Sequence, residues 1–138
     1  MSLQDTILNS IHRAVVATDP EGNITYWNDT AAALYGWSAA EVIGRNVTEV
    51  TPSEASHEQA EEIMEHLRAG EIWEGLFRVR RKDGSEFNAF VADSPVLDDE
   101  GHLTGIVGIS HEVAGALEEQ QLLHVGLMRG VDQVGLDH

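Results

Sequence analysis

Cysteine is absent from the 138 residues of this chain, and basic residues are scarce. The lack of cysteine excludes disulfide bonds, thiolate zinc sites, iron–sulfur clusters and every mechanism that uses a cysteine nucleophile. Lys and Arg total 8 against 24 Asp and Glu, so the formal net charge is −16. Because a surface this acidic repels phosphate backbones and anionic lipid headgroups, we predict neither nucleic acid nor direct membrane contact as partners.

Long apolar runs are also missing. Runs such as Ala14 to Ala17 are far shorter than the ~20 residues that a membrane-spanning helix requires. The chain does not open on a signal-peptide pattern, since its first positive charge is Arg13. These features predict a cytoplasmic protein, and the length fits a single domain of the typical ~100 to 200 residues with a helical tail.

Lysine is rare even among the basic residues, because Lys82 is the one lysine of the chain. Two interpretations of this acid-rich, lysine-poor composition stay open. It suits a high-salt cytoplasm, where carboxylates hold water and salt screens their mutual repulsion. It is equally expected of an ordinary acidic domain from a GC-rich genome.

The spacing of apolar residues predicts several helices. A short flanking helix is expected over 3–12 and another over 30–35, where Gly36 ends it. Ser38 and Glu41 form a capping box at the start of a further short helix. The longest helix of the domain body carries Ala60, Ile63, Met64 and Leu67 on one face, and a tail helix is expected after residue 113.

Five strand patterns, separated by turn residues, surround these helices. They cover residues 14–18, 24–27, 72–81, 86–97 and 103–113. The order of two strands, a run of helices, three strands and a final helix predicts an α+β domain. We expect one five-stranded antiparallel sheet with helices on one face.

An ordered set of short motifs resembles the PAS sensor-domain family over about Ile7 to Val113. The motifs are Asp19-x-x-Gly22-x-Ile24, Trp27-Asn28, Leu34-Tyr35-Gly36-Trp37-Ser38, Glu41-Val42-Ile43-Gly44-Arg45, Trp73-Glu74-Gly75, Arg81-Lys82-Asp83-Gly84 and Pro95-Val96-Leu97-Asp98, followed by Gly101 and Gly105. Each motif alone also has a structural use in a turn, a cap or the core. Their order and spacing together identify the scaffold, but they do not identify a ligand.

The resemblance implies a division of the chain and a role in signalling. Residues 1–12 would be an N-terminal flanking helix, 13–113 the PAS domain, and 114–138 a C-terminal signalling helix or linker. In this family the sheet curls around its helices to enclose a pocket, and the terminal helix passes the state of the pocket to an output domain. The chain therefore resembles one sensor module of a longer protein, such as a two-component histidine kinase, a chemotaxis-type transducer or a transcription regulator.

Strand alternation then indicates which side chains would face the pocket in the family geometry. The candidate ligand-binding residues are His57, Met64, Trp73, Phe77, Phe87, Ala89, Ile106 and Ser110. The aromatic members favour stacking on a planar ring, and Ser110 or His57 would supply a hydrogen bond. We expect a small apolar or aromatic ligand, although the same side chains also suit a filled core.

Three cofactors known in the family can be tested against these residues. A flavin photosensor needs a cysteine, which is absent, and two asparagines and a glutamine, where Val79, Ala89 and Ser110 stand in this sequence. Flavin is therefore not expected, and a thiol-linked chromophore is excluded. Haem stays open because His57 lies on the apolar face of the long helix, where haem-binding members of the family hold their axial histidine. No other metal site is predicted.

No catalytic motif is present, so we do not predict an enzyme. The acidic stretch Asp98-Asp99-Glu100 lacks the ligand spacing of a calcium loop and is interpreted as a solvated turn. Three hypotheses remain: a small-ligand sensor, a haem gas or redox sensor, and a ligand-free dimerisation or interaction module.

Signal relay is expected at the end of the last strand. The family usually shows Asp, Ile or Val, and Thr at this junction, whereas the chain has Glu112, Val113 and Ala114 and lacks the threonine hydroxyl. Apolar residues also recur on the outer side of the sheet, at Leu76, Phe90, Val107 and Ile109. A flanking helix or a second subunit should cover them, and we predict a homodimer.

Overall fold

The structure is a computed structural model that describes Leu3 and residues 12–53 and 57–113, without the side chains of residues 57 and 58. The rest of the predicted N-terminal helix and the predicted tail over 114–138, with Ala114 of the proposed relay, lie outside the described residues. The described part of the chain includes all five predicted strands and the long helix that carries Ile63, Met64 and Leu67.

Five strands and four helices follow one another in that part. They are β1 (Ala14–Thr18), β2 (Ile24–Trp27), α1 (Asp29–Tyr35), α2 (Ala39–Val42), α3 (Val47–Val50), α4 (His57–Arg68), β3 (Trp73–Arg80), β4 (Glu86–Leu97) and β5 (Leu103–Glu112). The strands form one sheet in the order β2-β1-β5-β4-β3, and all neighbours are antiparallel. This confirms the predicted α+β class and the five-stranded antiparallel sheet.

Short polar side chains fix where the small helices begin. Asn28 accepts hydrogen bonds from the backbone amides of Ala31 and Val15 at 2.9 Å each, and its own amide donates to the Arg13 carbonyl at 3.1 Å. One buried side chain therefore caps α1 and ties it to β1. Gly36 ends α1 in a left-handed conformation with φ of 81°, which glycine adopts without strain.

The predicted capping box at α2 is confirmed, but the sequence patterns missed α3. The Ser38 amide donates to the Glu41 carboxylate at 2.8 Å, and the Glu41 amide donates back to the Ser38 hydroxyl at 3.3 Å. Helix α3 has a single turn, which is too short for an apolar period to reveal it. Its start depends on Asn46, which accepts a hydrogen bond from the Thr48 amide at 3.0 Å.

The helices pack on one face of the sheet, which we call the inner face. The core joins helix residues to alternate strand residues; its members are Ala14, Ile24, Trp27, Ala31, Tyr35, Val42, Val50, Val79, Phe87 and Ala89. Helix α4 adds Leu67, which is 1% exposed. Burial of these apolar side chains against the inner face is the main source of stability for such a domain.

The outer face carries the apolar residues that the sequence singled out. Leu76, Phe90 and Val107 are half-buried, and Ile109 is 38% exposed. The two flanking helices predicted to cover this face lie outside the described residues. Within residues 12–53 and 57–113, no helix is long and apolar enough to cross a membrane.

Candidate functional site

A pocket of about 640 Å³ lies between α4 and the inner face of the sheet. Its volume falls in the range of ~300 to 1,000 Å³ that is usual for small-molecule sites. The strands contribute Val16, Thr18, Phe77, Val79, Val91, Asp93, Ile106, Gly108 and Ser110, and α4 contributes Ala60, Ile63, Met64, Leu67 and Arg68. Trp27, Tyr35, loop residues within 20–22 and residues of α3 and its flanks within 46–53 complete the wall.

Four of the candidate ligand-binding residues are brought together in this wall. Met64 reaches it from α4, Phe77 from β3, and Ile106 and Ser110 from β5. They lie far apart in the sequence and meet because α4 crosses the sheet opposite these strands. The amphipathic pattern of α4 explains its position, since Ile63 and Leu67 are buried on the same side.

Phe87 and Ala89 lie outside the pocket wall, in the filled part of the core. Their side chains are 3% and 0% exposed, and the Phe87 ring centroid is 5.7 Å from that of Tyr35. The Tyr35 ring of α1 packs against Phe87, and β4 joins the pocket wall only further along the strand, at Val91 and Asp93. Strand alternation predicts the face of a residue but not which helix lies above it.

Trp73 stands next to the pocket, and the position of the His57 side chain is not described. The Trp73 ring lies over Gly75, where a Cβ atom would collide with it, and its centroid is 5.2 Å from that of Phe77. Trp73 therefore supports a wall residue without being part of the wall. His57 is the first residue of α4, and its side chain lies outside the described ones.

A buried pair of hydroxyl groups lies among the neutral polar residues of the site. The Tyr35 hydroxyl and the Ser110 hydroxyl are 2.7 Å apart, and both side chains line the pocket. Burial raises the pKa of Tyr35, so its hydroxyl stays protonated. The pair links α1 to β5, the strand that leads out of the domain.

Asp93 is the charged group that the sequence analysis missed. It lies on the inner face of β4, between Trp73 of β3 and Gly108 of β5 in the strand register. No hydrogen bond or ion pair joins its carboxylate to any part of the chain that the structure describes. Burial raises the pKa of Asp93 to about 6. The alternation of Phe87, Ala89 and Val91 continues to Asp93 and could have revealed it.

The Asp93 carboxylate occupies space that is free because Gly108 has no side chain. A Cβ atom built on Gly108 would lie 2.8 Å from Oδ1 of Asp93. Since this is closer than real Cβ contacts, any larger residue would displace the carboxylate. The glycine and the acid therefore form one structural unit in the pocket wall.

Metal binding finds no support in the described residues. They contain no group of three or more His, Asp and Glu side chains placed to hold a metal ion. No histidine belongs to the described pocket wall, and the side chain of His57, the predicted axial ligand for haem, lies outside the described ones.

The comparisons with known proteins agree with this geometry. The PAS fold family matches residues 3–113. The chain belongs to the PAS family. A solved structure that resembles this PAS domain is the PAS domain of an HTR-like protein from Haloarcula marismortui, with a TM-score of 0.67. That likeness covers 80% of this chain and 88% of the other, at 19% identity, and so shows the fold alone.

The curated relatives are regulatory proteins, and the chain matches one segment of each. The chain is 31% identical over 107 residues to the bacterioopsin transcriptional activator of Halobacterium salinarum, and this alignment covers 78% of the chain. It is 25% identical over 128 residues to the nitrogen fixation regulatory protein of Klebsiella pneumoniae, and that alignment covers 91% of the chain. It spans only 16% and 26% of the lengths of these two relatives. The domain is thus a sensory module of a kind found in larger signalling proteins.

Arg81 connects the exit of the PAS domain to α1. Its guanidinium donates to the Glu112 carboxylate at 2.7 Å and to the Leu34 carbonyl at 2.9 Å, and it lies 4.1 Å from the centroid of the Phe87 ring. Beyond Glu112, the Val113 amide donates to the Asn88 carbonyl at 2.9 Å. The end of β5 is therefore held by β3 and β4, in contacts that residue motifs alone did not predict.

Proposed function

We propose that this PAS domain is a sensor that binds a small organic molecule with an apolar or aromatic body. The observation that carries the proposal is the pocket of about 640 Å³ between α4 and the sheet. Met64, Phe77 and Ile106 offer apolar contact area, and Ser110 offers a hydroxyl group for orientation. Trp73 and His57 complete the proposed set from beside the wall, while Phe87 and Ala89 support it from the filled core.

A route from the pocket to the end of β5 supports the relay part of the proposal. Ser110 lines the pocket and shares a hydrogen bond with Tyr35 of α1. Two residues further, Glu112 is paired with Arg81, which also binds the last turn of α1 through the Leu34 carbonyl. A ligand that moves Ser110 or Tyr35 would shift both anchors of Glu112. We infer that Glu112, Val113 and Ala114 pass this shift onward.

The receiver of the signal would be an effector domain in a longer protein. The two relatives named above are a transcriptional activator and a regulatory protein, and this chain matches a minor part of each. A histidine kinase, a transducer or a transcription regulator would each suit the proposal. The domain itself would perform no catalysis.

Native mass spectrometry of freshly purified protein tests ligand binding. We expect a bound mass on the wild-type protein that is lost in Met64→Trp, because the larger ring would occupy the pocket. The matched control is Ile72→Trp, since Ile72 is 61% exposed and should tolerate the ring while keeping the bound mass. If the wild-type protein carries no mass and an experimental structure shows a filled core, the chain is a ligand-free interaction module.

An absorption spectrum of the same preparation separates the haem alternative. The small-ligand proposal predicts no Soret band. A Soret band that disappears in His57→Ala would replace the small ligand with haem bound through His57.

We also propose a homodimer through the outer face of the sheet. Ile109 is exposed in an otherwise half-buried apolar patch with Phe90 and Val107, and such patches commonly mark interfaces. Light scattering should show a dimer that dissociates in Ile109→Glu but persists in the exposed control Ile72→Glu. A wild-type protein that is monomeric at high concentration would contradict this.

We further propose a cytoplasmic location, and the net charge of −16 with a single lysine suits a cytoplasm of high salt. The similarity to the bacterioopsin transcriptional activator of Halobacterium salinarum favours the high-salt interpretation over the ordinary acidic one.

A further inference from the structure

Asp93 makes no hydrogen bond or ion pair with the described residues, and it lies in a pocket whose other walls are mainly apolar. The described residues around it offer neither a cation nor a hydrogen-bond donor within bonding distance of its oxygens. A buried charge without a partner is unfavourable, and an incoming cation would relieve that cost. The pocket therefore favours a ligand that brings a positive charge.

The position of Asp93 is built into the sheet. Gly108 stands beside it on β5, and a side chain there would collide with Oδ1 at 2.8 Å from its Cβ atom. Trp73 stands beside it on β3 and turns its ring over Gly75, toward Phe77. The carboxylate is thereby left open toward the pocket, with neighbours that neither pair with it nor displace it.

The other polar groups of the pocket agree with a cationic ligand. Its further charged residues are Glu21 and Arg68, both exposed, so the wall carries one net negative charge together with Asp93. The Tyr35 and Ser110 hydroxyls share one hydrogen bond at 2.7 Å and are uncharged, so they add no positive charge that would repel a cation. Asp93 is thus the one enclosed charge that a ligand would meet in the described wall.

We propose that the ligand of this pocket is a small organic cation, a protonated amine with an apolar or aromatic body, whose charged nitrogen pairs with Asp93. This inference rests on the proposed function, because it names the chemical class of the ligand that the sensor binds. The amine would donate charge-assisted hydrogen bonds to the carboxylate. The body would lie against Met64, Phe77 and Ile106.

Matched probes that differ in charge test the inference. We would titrate the full chain with 2-phenylethylamine, 2-phenylethanol and phenylacetate, and with benzylamine, benzyl alcohol and benzoate, by calorimetry at pH 7.5. Each amine should bind at least about tenfold more tightly than its alcohol, and the acids should bind weakest. Asp93→Asn should remove most of this preference while leaving the affinity for the alcohols unchanged.

Two further variants test whether the effect of Asp93→Asn comes from the carboxylate in its native position. Glu21→Gln removes a negative charge from the exposed part of the wall and should retain most of the preference for amines. Gly108→Ala keeps the charge but displaces the carboxylate, so it should weaken amine binding toward that of Asp93→Asn. Both variants are checked for native secondary structure by circular dichroism.

The pH dependence gives an independent readout. The amines stay protonated up to pH 8, so their affinity should fall as the pH drops and Asp93 becomes neutral. Tyr35, Glu21 and Arg68 are the other titratable groups of the wall. Asp93→Asn should abolish this dependence, whereas Glu21→Gln should retain it.

The outcomes separate the inference from the proposed function. Equal or tighter binding of the alcohols or the acids overturns the cationic ligand but leaves a small-molecule sensor. A preference for amines that survives Asp93→Asn also overturns it, as does a co-purified molecule without a basic nitrogen. If no probe binds and no mass co-purifies, the proposed function itself fails.

Discussion

Replacing Asp93 with Asn should make the free domain more stable at pH 8. Burial raises the pKa of this carboxyl from its ordinary value of 3.8 to about 6. One pKa unit corresponds to ~1.36 kcal/mol, so ionising Asp93 costs about 3 kcal/mol more in the folded than in the unfolded protein. Water in the pocket screens part of this cost, and we expect Asp93→Asn to raise the free energy of unfolding by about 1 to 3 kcal/mol.

The raised pKa of Asp93 also determines whether its contribution to the free energy of unfolding rises or falls with pH. Because the folded protein holds the Asp93 proton more tightly than the unfolded chain, its contribution to stability is greatest at low pH. That contribution falls as the pH rises from 3.8 through about 6, and it is constant above this range. About half of the loss develops between pH 5 and pH 8. The gain from Asp93→Asn should therefore be about 0.5 to 1.5 kcal/mol larger at pH 8 than at pH 5.

Urea denaturation followed by tryptophan fluorescence measures this difference. The control is Asp99→Asn, which removes the same charge from an exposed turn and should give no pH-dependent gain. Comparing two pH values cancels any constant effect of the new amide on packing. If Asp93→Asn gains no more at pH 8 than at pH 5, the carboxylate is solvated or paired and the reasoning is refuted.

The remaining predictions concern packing, the hydroxyl pair and salt. Leu67→Ala should lose about 2 to 5 kcal/mol of unfolding free energy in urea, because Leu67 is 1% exposed between α4 and the sheet; a loss below 1 kcal/mol would contradict this packing. Tyr35→Phe should cost about 1 to 3 kcal/mol by leaving the Ser110 hydroxyl unpaired, and a cycle with Ser110→Ala should show non-additive losses. Raising KCl from about 0.1 M to about 2 M should raise the Tm, since salt shortens the Debye length from ~10 Å to below ~3 Å; an unchanged or lower Tm would argue against a high-salt protein.

Local sequence patterns predicted most of the fold because its helix ends and turns are determined by residues close together in the sequence. Gly36 and the capping box of Ser38 and Glu41 set helix ends through contacts within a few residues of one another. Alternation and turn residues marked the five strands to within one or two residues. Helix α3 was not predicted because its single turn, capped by Asn46, is too short for apolar residues to recur at helical spacing.

The candidate site was less predictable because it depends on how helices lie over the sheet. Alternation places Phe87 and Val91 on one face of β4, but Phe87 packs against the Tyr35 ring of α1 whereas Val91 lines the pocket. Asp93 continues the same alternation within β4, but a single acid in a strand pattern does not reveal whether its carboxylate is solvated or enclosed. The role of Arg81 needed contacts to Leu34 and Glu112, 47 and 31 residues away.

Methyl NMR on methionine-labelled protein tests the central claim most directly, because Met64 lies in the pocket wall. Its resonance would be assigned with Met64→Leu, a change of similar volume that the site should tolerate. We predict that titration with 2-phenylethylamine shifts the Met64 methyl signal until it saturates, and that Asp93→Asn weakens this response. If neither this amine nor any of the other matched probes moves the Met64 signal, the pocket does not bind small molecules of this kind and the account is contradicted.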